Sequence, residues 1–533
     1  LATFIANSNP RIKQVFDAWR DLSPDALLSN LEKNQELKSV LLEETPWVRQ
    51  AKNETERKKR IALLFDLNKM SYELKHAIKK LQLMQLSSGA WPWFTGMREN
   101  RYITQYIITG LAHLNHLGVI DIDENIQLGS MVENGLRYLD GQIHQDLKEL
   151  ERKEVDLQAD HISHLQIQYL YMRSYLVDDF KIRNKNLEAF NYYKGQADKY
   201  WLNKDLYMQG MIALALNRFG FKSTPSNIIA SLKEKSLHSE EMGMYWRRNN
   251  GWYWYQAPIE RQALLIEAFE EVSNDQKAVE EMKVWLLKQK QTQDWKTTKA
   301  TAKAIYALLL RGTDLLADDD LVEISIGGHV IEPEKDVSTD IEAGTGYFKK
   351  TWNAEEIEAD MGKVEVNNPN DHIAWGALYW QYFEDLDKIT PHESPLSIEK
   401  DLFLEKNTDR GPVIEPIDQA SSLTVGDKIM VRIIIRVDRD MEYVHLKDMR
   451  AAAFEPVNVL SGYRWQSGLG YYESIRDAST NFFIDYLPKG TYVFEYPLMS
   501  SQEGDFSNGI TSIQCMYAPE FGSHSEGMRV RVR

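Results

Sequence analysis

The chain has 533 residues, 43% hydrophobic and 27% charged, with a net charge of −16. That length exceeds one ordinary domain and fits about two to four, each able to bury its own core. The acidic balance, with no compensating basic run, excludes nucleic acid as a partner, and the single cysteine, Cys515, excludes an intrachain disulfide or a cysteine-based metal site.

The chain opens LATFIANSNPRIKQ, with Leu1, Phe4 and Ile5 on one helical face ahead of the Asn9-Pro10 break. It carries no secretory leader and no apolar run of about 18 residues that would span a membrane. It reads as a fragment entered in mid-helix, with upstream chain missing. Up to about residue 315 the patterns are helical. TQYIITGLAHLNHLG sets Ile107, Leu111, Leu114 and Leu117 at helical spacing and stops at Gly118. MQGMIALALNRFG does the same with Ile212, Leu216 and Phe219 before Gly220, and TAKAIYALLLRG with Ile305, Leu308 and Leu309 before Gly312. The charge-rich stretch from 136 to 160 reads as an exposed helix face and a polar connection.

These helices repeat loosely. LQLMQLSSGAWPWF leads into RYITQYIITGLAHL much as WLLKQKQTQDW leads into TKATAKAIYALLL, with Thr104 matching Thr301 and Leu111 matching Leu308. NNGWYWYQAPIERQALLIEAFEEV is a third copy. Each copy predicts an outer helix, a Gly/Asp-Trp turn and an inner helix, units that must stack or close into a ring to bury their apolar faces. The expectation is an α/α toroid over 1–315, with about seven helices per layer. The aromatic turns, Trp91, Trp93 and Phe94 in SSGAWPWFTGMREN, then Trp252 and Trp254, then Trp295, are expected to be structural plugs, Trp93 among them buried.

After 315 the period becomes two. LVEISIGGHVIEP alternates Val322, Ile324 and Ile326 and turns at Gly327-Gly328, and GKVEVNNPNDHIAWGALYWQYFED predicts two further strands. A small β module over 316–390 is expected to end in a linker at DKITPHESP. Over 391–533 the strands lengthen: MVRIIIRV alternates Val431, Ile433 and Ile435, YLPKGTYVFEYPL turns at Pro488-Lys489-Gly490, and MRVRVR sets Val530 and Val532 on one side. This predicts an antiparallel β-sandwich, so the fold class is multidomain, α then β.

Catalytic signatures are scarce. There is no G-x-S-x-G, H-E-x-x-H, phosphate loop or dinucleotide fingerprint, and no cofactor is implied. His161 and His164, three apart, are weak candidates for a metal or general-base role, against ordinary hydrogen bonding at a helix start. Asp318, Asp319 and Asp320 read as a solvated loop. Arg439, Asp440, Glu442, Asp448 and Arg450 read as a surface ion-pair network, and Cys515 as a buried strand residue.

Several segments resemble the alpha-2-macroglobulin family, particularly bacterial members of the Bacteroides type: ETPWVRQAKNETERKKRIALLFDLNKM, the Gln-rich helix with its Gly-Trp turn, AAAFEPVNVLSGYRW, FFIDYLPKGTYVFEY and MYAPEFGSHSEGMRV. The resemblance spans essentially the whole chain and implies a thioester-domain toroid followed by a terminal macroglobulin-like sandwich. It implies a non-enzymatic, broad-spectrum endopeptidase inhibitor whose partners are proteases, engaged through the intact parent, with the toroid packed on the sandwich. It also implies a periplasmic or cell-envelope location, as a lipoprotein if an upstream anchor exists. The family's Cys-x-Glu-Gln thioester motif does not occur in these 533 residues, so no catalytic residue carries over. Two other readings stand beside it: an α/α-toroid enzyme acting on isoprenoids or glycans, which needs an apolar cavity lined by several carboxylates, and a non-inhibitory envelope interaction module.

Overall fold

The computed structural model describes residues 67–247, 257–292, 295, 297–310, 322–333, 339–341, 348–369, 374, 376–380, 382–392, 394–418, 421–466, 468–516 and 518–533. Most of the chain through Ala374 forms one compact unit, and Trp375–Arg533 belongs to a second.

Among the described residues the first unit is led by ten helices: α1 (Leu67–Met84), α2 (Arg101–His116), α3 (Ile126–Arg152), α4 (His164–Arg173), α5 (Asn184–Tyr200), α6 (Leu206–Arg218), α7 (Ser223–Glu234), α8 (Pro258–Ser273), α9 (Gln276–Thr292) and α10 (Thr298–Leu310). Side-chain caps start several of them. Asn100, Asn125 and Asp205 accept from the third backbone N–H of α2, α3 and α6, and Ser163 and Gln166 form a capping box on α4. The even-numbered helices are inner. Tyr207–Leu216 of α6 and Glu260–Phe269 of α8 are buried without a break, as a helix surrounded on all sides requires. Inner helices pack in series, α2 on α4, α4 on α6, α6 on α8 and α8 on α10. His113 of α2 then stacks on Tyr306 of α10 with ring centroids 4.9 Å apart, bringing the last described inner helix back against the first described one. Helices α3, α5 and α7 cover this layer from outside, giving the α/α toroid the repeats imply. Matched positions behave alike: Leu111 and Leu308 are both buried, and Thr104 and Thr301 each donate a hydroxyl proton to the carbonyl four residues back.

The Gly-Trp turn is a tie between successive outer helices. The Trp91 indole N–H donates to Leu81 O of α1 at 2.8 Å. Gly89, at φ +89°, presses so closely on α3 that a Cβ there would lie 2.3 Å from Asn134 O. The arrangement recurs after the hairpin of β1 (Leu237–Ser239) and β2 (Gly243–Tyr245). The Trp246 indole donates to Leu232 O of α7 at 2.9 Å, and a Cβ on Gly243, at φ +65°, would lie 2.1 Å from Glu281 O of α9. A glutamine joins each tie: Gln85 donates to Met131 O of α3, and Gln262 to Met282 O of α9. The residues expected to plug these turns need correcting. Trp91 is 0% exposed, but Trp93 is 50% and Phe94 63% exposed, because hydrogen bonds to Leu81 O and Thr104 Oγ1 hold Trp91 inward while Trp93 only stacks on Tyr102. Trp246, not singled out in the sequence, is the second buried tie. Trp295 is buried, whereas Trp252, Trp254 and residues 317–320 lie outside the described residues.

Beyond the helices, β3 (Glu323–Ile326) and β4 (His329–Val330) form the expected hairpin, with Gly327 and Gly328 both at positive φ. Then come β5 (Thr339–Ile341) and β6 (Phe348–Lys350), paired with each other, and β7 (Val364–Asn367), paired with β3. The second strand expected in this stretch does not form: none of the described residues from 374 to 385 is in a strand.

The second unit contains β8 (Leu396–Thr408), β9 (Gly411–Pro416), β10 (Ser422–Leu423), β11 (Lys428–Val437), β12 (Met441–Met449), β13 (Phe454–Pro456), β14 (Gly462–Gln466), β15 (Leu469–Ile475), β16 (Ser479–Leu487), β17 (Gly490–Ser500), β18 (Gly504–Ser507), β19 (Thr511–Cys515), β20 (Ala518–His524) and β21 (Arg529–Val532). A five-stranded sheet, β13-β17-β11-β8-β9, and a six-stranded sheet, β14-β15-β16-β12-β19-β20, share one core. Alternation puts Val431, Ile433 and Ile435 from one sheet against Val444 and Leu446 from the other. The expected linker at 387–395 is tied to this unit: Gly527 N donates to Ile389 O, His392 bridges His524, and Ser507 bonds Asp387. The charges of 439–450 are not a surface network, because Arg439, Glu442, Asp448 and Arg450 are all buried.

Replacing Trp91 by Ala is expected to lower unfolding free energy by about 3–5 kcal/mol, as for a fully buried aromatic. Replacing Trp93 by Ala is expected to lower it by about 1 kcal/mol or less. Denaturant unfolding of the two variants side by side checks both the order and the size of the effects.

Candidate functional site

Each inner helix of the ring carries polar side chains at three-, four-, seven- or eleven-residue spacing, and these converge on the ring's axis. On α2 they are Tyr102, Tyr106 and His113; on α4, Tyr171 and, just past its end, Tyr175; on α6, Tyr207 and Arg218; on α8, Glu260, Glu267 and Glu271; on α10, Lys299, Lys303 and Tyr306.

The end of the axis near the inner-helix C-termini is an ion-paired knot. Arg218 Nη2 lies 2.7 Å from Glu267 Oε1 and 2.8 Å from Glu271 Oε2, with its guanidinium 3.8 Å above the Tyr175 ring. The Tyr171 hydroxyl donates to Glu267 Oε2 at 3.0 Å, and the Tyr175 hydroxyl also donates to Glu267. His113 Nε2 is 3.1 Å from the Tyr171 hydroxyl, and His113 Nδ1 is 3.3 Å from Lys303 Nζ. Burial, reinforced by the Glu267 carboxylate, holds Tyr171 and Tyr175 well above the ordinary tyrosine range, so both remain donors. Burial pushes Lys303 down to about 8, even with Glu267 nearby.

Toward the other end the axis is aromatic. Trp93 stacks on Tyr102 at 6.1 Å and Tyr102 on Tyr106 at 6.3 Å, with Lys299 Nζ 5.7 Å from the Tyr106 ring centre. Burial raises Glu260 and lowers Lys299. Three glutamates line the axis, but at different levels: Glu260 lies toward the aromatic end, while Glu267 and Glu271 are held by Arg218 and Glu267 also by the two tyrosines. The axis is built as a charge-balanced polar core rather than an apolar cavity where carboxylates face a substrate.

The two histidines do not share a helix face. His164 opens α4, while His161 precedes the capping residue Ser163. His161 Nε2 is 2.8 Å from Asp156 O and its backbone N–H donates to Gln196 Oε1, an ordinary connection-tying role. Burial lowers the pKa of His164. Among the described residues no group of three His, Cys, Asp or Glu could hold a metal. Cys515 is fully buried on β19, as its alternation implies. The polar axis escaped the sequence reading because its members are far apart in the chain. The signal was there as polar residues at helical spacing on helices otherwise apolar all round.

Residues 396–520 match the family model described as the bacterial alpha-2-macroglobulin MG10 domain, so the terminal sandwich is of that type and the family resemblance is borne out. Among solved structures, Escherichia coli alpha-2-macroglobulin activated by porcine elastase is similar at 14% identity and a TM-score of 0.38, covering 90% of this chain and 39% of that one. Native Escherichia coli alpha-2-macroglobulin spanning domain MG7 to the C-terminus is similar at 12% identity and a TM-score of 0.30, covering 98% of this chain and 75% of that one. Among curated proteins, circularly permutated Ras protein 2 of Dictyostelium discoideum is 24% identical over 108 residues, 20% of this chain and 3% of that protein.

The depressed Lys303 pKa has a definite consequence. The unfolded chain binds a proton that the folded chain has released between about pH 8 and the ordinary lysine value of 10.5, so this group makes stability rise with pH across that window. Above about 10 the raised tyrosines act in the opposite sense. Measured from pH 8 to 10, the stability of the protein is expected to rise relative to a Lys303→Met variant.

Proposed function

We propose that this chain, with its terminal sandwich of the bacterial alpha-2-macroglobulin MG10 type, is the C-terminal part of a broad-spectrum endopeptidase inhibitor, a protease trap of the bacterial cell envelope. The match over 396–520 carries the reading. The division into a toroid over 1–315, a β module over 316–390 and a sandwich over 391–533 belongs to the same proposal, as does a periplasmic or lipoprotein location. Among the described residues no helix is long and apolar enough to cross a membrane.

In this reading the toroid and sandwich are scaffold and binding surface, and proteases are the partners. The chain itself performs no bond chemistry on a substrate. Its one cysteine begins Cys515-Met516-Tyr517-Ala518, not Cys-x-Glu-Gln, and lies buried in a sheet, so any thioester would have to be supplied from outside these residues. The buried ion pairs of the ring axis support a structural part for the toroid over an enzymatic one.

One observation favours the second reading, a non-inhibitory interaction module. Edge strand β14 exposes Tyr463 and Trp465 beside Val457, Val459 and Leu460, an apolar patch of the kind that meets other proteins.

The test uses the complete protein containing this chain. After incubation with trypsin, cleavage of a large protein substrate is expected to fall while cleavage of a small peptide substrate persists, as entrapment requires. Unchanged cleavage of both would remove the inhibitor reading and leave the module. The chain as given is expected to incorporate no labelled methylamine. Incorporation mapped to any glutamine here, with release of the Cys515 thiol, would contradict the assignment.

A further inference from the structure

Along β8, Leu396, Ile398 and Leu402 point into the sandwich core, and strict alternation places Lys400 on the same inward row. Along β12 of the other sheet, Val444, Leu446 and Asp448 form the matching inward row. A lysine and an aspartate therefore meet across an apolar core. Lys400 Nζ lies 2.6 Å from Asp448 Oδ1, and the two side chains are 2% and 0% exposed. Lys400 Nζ also donates to Met449 O at 2.6 Å. Both carboxyl oxygens have hydroxyl donors: Thr511 Oγ1 to Oδ1 at 2.5 Å, and the Tyr496 hydroxyl to Oδ2. Burial holds Tyr496 well above the usual tyrosine range, so its hydroxyl keeps its proton.

We propose that Lys400 and Asp448 condense into an intramolecular isopeptide bond that joins the two sheets of the sandwich covalently. The first step is proton transfer within the pair, from ammonium to carboxylate, giving a neutral amine and a neutral acid. The 2.6 Å contact between Lys400 Nζ and Asp448 Oδ1 gives that proton a direct path. The amine lone pair attacks Cγ, and the new C–N bond forms while Oδ2 takes up negative charge. The Tyr496 hydroxyl is already placed on that oxygen. The Cγ–Oδ1 bond then breaks, and Oδ1 leaves as water with the acid proton and one amine proton. The products are an amide and one water; nothing is oxidised or reduced, and no co-reactant enters. Fixed contact between the partners makes the step unimolecular, the situation in which effective concentrations are largest. A cavity of about 220 Å³ lined by Tyr496 and Thr480 adjoins the site and can take the released water.

The cross-link accounts for a placement that packing alone does not. Replacing a buried ion pair by apolar residues is often neutral or stabilising, so charge attraction is a weak reason for a core lysine. A covalent link between residues 400 and 448 instead restricts the unfolded chain as a disulfide does, in a chain whose single cysteine rules out an internal disulfide.

The test is the intact mass of the purified full-length chain under denaturing conditions. The expected mass is one water less than the sequence requires, with tandem spectra showing the peptides of Lys400 and Asp448 joined. A Lys400→Arg variant, which keeps the charge but lacks the amine, is expected to show the full sequence mass. Because substitution here can unfold the domain, the unsubstituted chain decides the matter. A full sequence mass, or a lost water with the two peptides separate, overturns the proposal.

Discussion

The helical unit depends on how one helix pair is fastened to the next, and that is done by an indole and a glycine acting together. A helix pair exposes an apolar face that it cannot cover alone. Trp91 and Trp246 each fill the gap between pairs and donate to a carbonyl of the outer helix just passed, Leu81 O or Leu232 O. Gly89 and Gly243 let the backbone touch the outer helix that follows, at a separation no other residue tolerates. The glutamines beside them donate to carbonyls of that same following helix, so polar groups at these joints are satisfied where water is excluded.

Much of this architecture was legible in the sequence, because periodicity and turn chemistry are local. Leu111 and Leu308 are equivalent in sequence and in burial, Gly327-Gly328 makes its hairpin, and Ile433 lies in the core its alternation requires. The identity of the buried tryptophan was not legible. Trp91 and Trp93 flank one proline, and composition cannot say which indole reaches Leu81 O. Asp448 is a different case. Sign alternation from 439 to 450 pointed to the surface, but the parity of Val444, Leu446 and Asp448 already placed that carboxylate inward. Likewise Ser163 and Gln166 have the spacing of a capping box, which separates His161 from the helix of His164.

Both units carry charged groups in their cores as paired networks. At the ring's axis Arg218 satisfies two glutamates and stacks on a tyrosine. In the sandwich Asp448 has a lysine and two hydroxyls around it. Such networks penalise misregister, since a one-residue slip of β12 would carry Asp448 out of the core and leave Lys400 there without its carboxylate.

The contact of His113 with Tyr306 and Lys303 has a consequence for how the ring comes apart. In an open array of repeats the terminal units have one neighbour each and fray first. Here the last described inner helix leans on the first described one, so among the described residues neither is a free end. Loss of any one inner helix strips partners from both sides of the gap and from the axis at once. Amide hydrogens of the inner helices should therefore exchange in one collective opening, without the graded protection, weakest at the ends, that a linear stack displays.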